Sequence, residues 1–68
     1  MPHYYVNKNA QDNGDHEVHK EGCIFMPENH NKIDLGVFSN CKPAINAAKS
    51  HYNQVDGCFH CCLPCHKS

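Results

Sequence analysis

Four of the six cysteines stand within eight residues, in the stretch Cys58-Phe59-His60-Cys61-Cys62-Leu63-Pro64-Cys65. This crowding constrains the fold more than any other feature of the sequence. Residues 58–68 hold only Phe59 and Leu63 as large apolar side chains, so the tail has nothing of its own to bury. Cys58 and Cys61 form one C-x-x-C pair, and Cys62 and Cys65 form a second. Two thiolates at that spacing in a tight turn can reach one zinc at ~2.3 Å, with loop N–H groups bonded to the sulfurs. A tetrahedral ion needs four donors, and Cys58, Cys61, Cys62, Cys65 and His66 supply five. Neighbouring side chains such as Cys61 and Cys62 diverge. The economical set is therefore Cys58, Cys61 and Cys65 with His66. Cys62 is the alternate within the tail, and Cys23 or His19 is the alternate from the first half of the chain.

The rest of the composition makes a staple necessary. The chain has 68 residues, no Trp, and twelve Leu, Ile, Val or Phe residues. A single core of that size supplies only about 3–5 kcal/mol, and small domains add metal or disulfides. This excludes a multidomain enzyme and a large catalytic cleft.

Six Lys against seven Asp and Glu leave a net charge of −1, and the lysines are scattered with no Arg among them. Nucleic-acid binding, which rests on many neutralised phosphates and on the Arg fork, is not expected. The start of the sequence lacks a basic segment followed by an apolar one, and the longest apolar run is Cys23-Ile24-Phe25-Met26. Neither an export signal nor a membrane span is expected. The expected compartment is the cytoplasm, where thiols stay reduced and serve metals or redox chemistry.

Along the chain, residues 4–9 read as a strand, residues 10–15 as a turn around Asn13-Gly14, and residues 16–23 as a second strand. Ile33, Leu35 and Val37 alternate with polar or small residues, the period of a half-buried third strand. Ser39 and Asn40 suit an N-cap and Pro43 a first helical turn, and Cys41, Ile45, Ala48 and Tyr52 follow at helical spacing up to Asp56-Gly57. The expected architecture is a single α+β domain over 1–68. It comprises a three-stranded antiparallel meander (1–38), one helix packed on it (39–56) and a zinc-stapled cysteine tail (57–68).

Competing readings of the same residues are weaker. Cys62-Leu63-Pro64-Cys65-His66 matches the C-x-x-C-H of covalent haem attachment, but that chemistry acts on exported chains and little apolar surface follows to cover a porphyrin. Cys62 to Cys65 also resembles a dithiol loop, yet no helix can follow it to lower a thiol pKa. His16 and His19 have opposite strand parity, so at most one joins a given site. Cys23 and Cys41 read as small buried apolar residues, with a mutual pair, as disulfide or ligands, as the alternative. No triad, phosphate loop or carboxylate pair stands out, and no catalytic residue is expected.

The chain also resembles a family of small, uncharacterised bacterial proteins. The resemblance runs through His3-Tyr4-Tyr5-Val6-Asn7, Gly14-Asp15-His16-Glu17-Val18-His19, Leu35-Gly36-Val37-Phe38 and Asp56-Gly57-Cys58-Phe59-His60-Cys61 with Cys65-His66. It covers most of the length and implies a compact bacterial domain, with no assigned activity. The expectation is thus a small zinc-binding protein with a structural metal. A cytosolic thiol redox or metal-handling protein is the first alternative, and an interaction module with a protein partner the second.

Overall fold

The computed structural model describes residues 1–67. Four strands and one helix follow in the order β1 (His3–Asn7), β2 (His16–Lys20), β3 (Lys32–Val37), α1 (Cys41–Ala48) and β4 (Val55–Gly57). Short 3-10 turns at Asn29–Asn31 and Leu63–Cys65 complete the elements. The class is α+β as expected, but the sheet differs from a meander. Its strand order is β3-β1-β2-β4, so β3 pairs with β1 and not with β2. A fourth strand also runs parallel to β2, with His16 opposite Val55 and Val18 opposite Gly57. The sheet is therefore mixed.

The expected helix over 39–56 is cut short at Ala48. Asn40 caps the start, its side chain accepting from the Lys42 N–H at 2.9 Å, and Pro43 falls in the first turn where no N–H is needed. At the other end the Ser50 hydroxyl donates to the Ala47 carbonyl at 2.7 Å. That is a turn-forming bond in competition with the helix. The chain is then free to lay Val55 along the edge of β2 that the hairpin leaves unpaired. Tyr52, which fits the helical stripe on paper, stacks on the His16 ring at 3.6 Å between centroids.

One face of the sheet carries the apolar core. Tyr4, Val6 and Val18 are buried against Cys41, Ala44 and Ala48 of α1, with Ile33, Leu35, Phe38, Ile45 and Val55 packed around them. The alternation of Ile33, Leu35 and Val37 breaks at an irregularity in the β1–β3 pairing between Tyr4 and Tyr5. Past that bulge Val37 pairs with His3, and it ends up exposed.

The tail is bound to the rest of the fold by two devices. Cys41, at the start of α1, is disulfide-bonded to Cys65, which closes a separation of 24 residues. Neither a buried free thiol at Cys41 nor a Cys23–Cys41 pair is therefore found. Cys62, 1% exposed, enters the core beside Tyr4 and Val6. The tail can come this close because Gly57 has no side chain. A Cβ there would lie 2.7 Å from the Cys62 carbonyl oxygen and 2.8 Å from Cys65 Cβ. Gly57→Ala is expected to lower stability by about 1–3 kcal/mol through overpacking against backbone that cannot yield, seen as a reduced urea midpoint with an unchanged m-value.

Candidate metal centre

The opposite face of the sheet is organised by polar residues. Strand alternation turns Val18 to the helix and its neighbours Glu17 and His19 away from it. His19 is nevertheless only 1% exposed. What covers it is the turn after β2 and the chain leaving β4. In the first, the Cys23 N–H donates to the Lys20 carbonyl at 3.0 Å. Gly22, at φ +90°, takes the left-handed position that bends Cys23 back over the strand. In the second, the Cys58 N–H donates to the Val18 carbonyl at 2.9 Å, which extends the parallel pairing by one step and brings Cys58 beside His19. The Cys62 N–H then donates to the Cys58 carbonyl at 2.8 Å, closing the turn that carries Cys61.

These two turns bring His19, Cys23, Cys58 and Cys61 together, with one donor atom from each and all four within 4.8 Å of one another. Cys23 Sγ lies 3.9 Å from Cys58 Sγ, and Cys61 Sγ lies 4.0 Å from His19 Nδ1. The edges of a tetrahedron built on a zinc ion with ~2.3 Å sulfur and ~2.0 Å nitrogen bonds are about 3.5–3.8 Å. Those two separations lie within about half an ångström of the spacing one such ion requires, and every other donor pair is within 4.8 Å. Two sulfurs also receive backbone N–H bonds, Cys61 from Lys20 at 3.2 Å and Cys23 from Phe25 at 3.4 Å. Such bonds favour the thiolate over the thiol.

Burial works in the other direction while no cation is bound. It raises the Cys61 thiol pKa strongly, and the Cys23, Cys58 and Cys62 thiols beside it raise it further against the lowering effect of the Lys20 N–H. The Cys62 thiol is raised as well, mainly by burial. Burial lowers the His19 pKa, with Lys32 contributing, so the imidazole is held neutral. A protonated Cys61 thiol beside a neutral imidazole can exchange its proton for a soft divalent cation.

Cys58 and Cys61 fall in the cluster as the sequence indicates, and their partners are the first-half alternates His19 and Cys23. Cys65 lies outside it, bonded to Cys41. His66 faces β4, with its Nδ1–H donating to the Gly57 carbonyl at 3.0 Å and 3.3 Å from Asp56 Oδ2. Cys62 Sγ approaches Cys61 Sγ to 4.0 Å but belongs to the core. His16 bonds the Asn7 carbonyl through Nδ1, so only one of the two parity-opposed histidines reaches the cluster. The expected second strand over 16–23 stops at Lys20, and it is the turn at Gly22, not a shared strand face, that sets Cys23 beside His19. What sequence could not supply was the parallel strand that carries Cys58 to them. No helix among the described residues is long and apolar enough to cross a membrane. Comparison with protein-family models, curated proteins and solved structures gives no match, so the site is read from its own chemistry.

The depressed His19 pKa fixes a sign for the metal-free protein. The unfolded chain takes up a proton near the ordinary histidine value of about 6.5, which the folded form resists. Metal-free stability is therefore expected to fall as pH drops below about 6.5, by at most about 1.4 kcal/mol per pH unit from this residue. Urea midpoints measured in chelator across that range, with His19→Asn flattening the slope, check it.

Proposed function

We propose that this chain is a small zinc-binding protein whose metal is structural, held by His19, Cys23, Cys58 and Cys61. The observation that carries the reading is the convergence of those four donors beside β2, all within 4.8 Å of one another. Three thiolates and one imidazole form a donor set that zinc takes in closed structural sites, with no position left for a reacting water. On this reading the protein has no hydrolytic activity. The ion would supply the cohesion that apolar burial does not supply on that face, joining the turn after β2 to the chain after β4.

Thiol exchange is the second reading, and the Cys41–Cys65 bond is the observation in its favour. Against it, Cys62 is buried and Cys65 is already bonded, so the C-x-x-C formed by the two offers no accessible thiol. The reduced donors favour a cytoplasmic location and the disulfide an oxidising one. The mass of the intact protein, lower by about two hydrogens when that bond is closed, measures which state is held.

Native mass spectrometry is expected to show one zinc per chain, removed by chelator. Cys58→Ser and Cys61→Ser should lose the ion, whereas Cys62→Ser should keep it. Apparent affinity should climb between about pH 6 and about pH 8, because the thiols surrender protons on binding. Retention of zinc by both Cys58→Ser and Cys61→Ser would refute the assignment.

A further inference from the structure

His19 raises a bonding question that the four donors do not answer. Its Nδ1 is the ring nitrogen turned toward a cluster thiol, 4.0 Å from Cys61 Sγ. Its Nε2 is buried and has no hydrogen-bond partner. A neutral imidazole carries one N–H and one lone pair, and a buried N–H left unpaired costs about 1–3 kcal/mol. A carboxylate oxygen, Glu17 Oε1, lies 3.6 Å from Nε2. Glu17 lies two residues earlier on β2, so its side chain leaves the sheet on the same side as His19. Its own side chain is only 16% exposed.

We propose that Glu17 is the positioning residue of the metal centre: it accepts the His19 Nε2–H and so commits Nδ1 to the metal. This deepens the zinc reading and rests on it. With the lone pair of Nδ1 given to the cation, the ring proton sits on Nε2. The otherwise unpartnered atom then becomes a donor aimed at a carboxylate a few tenths of an ångström beyond bonding range, a gap that a small side-chain rotation closes. The carboxylate in turn makes the imidazole a better donor and holds its plane, the role that outer-sphere acceptors play in metal sites generally. Glu17 is also held by a side-chain hydrogen bond from Gln11, with His66 nearby as a favourable partner. The dipeptide spacing Glu17-Val18-His19 therefore serves two layers at once, with Val18 in the apolar core and the flanking pair in the polar one.

The test is the tautomer of His19 in the zinc-loaded protein, read from long-range 1H–15N correlations of the imidazole. The expected result is a metal-bound Nδ1 and a protonated Nε2. Glu17→Ala is expected to weaken zinc binding by about 10- to 100-fold, in competition with a chromophoric chelator. Glu17→Gln, which keeps an acceptor oxygen, should recover most of that loss. A zinc-loaded protein with Nδ1 protonated and Nε2 on the metal overturns the inference while leaving the zinc site intact. So does a Glu17→Ala protein that binds zinc as tightly as the parent. Failure of the parent chain to bind zinc at all overturns the metal reading and this inference with it. The tautomer measurement needs no variant, so a Glu17→Ala protein that failed to fold would not obscure the answer.

Discussion

Val18 and His19 are neighbours on β2, and both are fully buried, on opposite sides of the sheet. A half-buried antiparallel sheet asks for one apolar face and one wet one. Here the second face is dry at its centre although the chain has no second apolar layer to put there. An imidazole can occupy such a place only if its polar atoms are satisfied. Everything on that side follows from this demand. The Gly22 turn doubles back over the strand, β4 adds in parallel so that Cys58 arrives beside the ring, and Cys61 is held by the Lys20 N–H.

The chain's local chemistry was legible, and its long-range pairing was not. Asn40, Pro43 and the spacing of Cys41, Ala44 and Ala48 mark the helix start and its buried stripe in the sequence itself. The helix end was misjudged because Tyr52 and Val55 continue the same stripe. Their actual partners, the His16 ring and the edge of β2, are tertiary and leave no local trace. The same holds for β3. Alternation identifies a strand, but only contact with β1 reveals the bulge that turns Val37 outward. In the candidate centre, Cys58 and Cys61 were legible as a C-x-x-C pair. His19 and Cys23 stood out only as alternates, since nothing in the sequence says that β4 will pair beside β2.

The six cysteines divide by environment in a way that their spacing conceals. Two consecutive C-x-x-C pairs in the tail suggest one dense site. The fold instead gathers Cys58 and Cys61 with His19 and Cys23 and sends Cys62 into the core and Cys65 to the helix start. Adjacent residues in an irregular turn point apart, so crowding in sequence becomes dispersal in space. The bare Gly57 is what permits this, because the turn returns to lie directly on its backbone.

The two cross-links also interlace along the chain. The disulfide joins residues 41 and 65, and a cation at the cluster would join residues 19 and 23 to 58 and 61, so each closed loop contains one anchor of the other. A break anywhere between residues 42 and 57, including the exposed stretch around Asn53 and Gln54, would leave both halves tethered twice. Such a molecule could be nicked between α1 and β4 and still hold together as one body. Loss of the ion alone would loosen the β2 side and leave the helix side latched. With an ion at the cluster, a domain with so thin a core would be held by two independent fasteners, and releasing one would not undo the other.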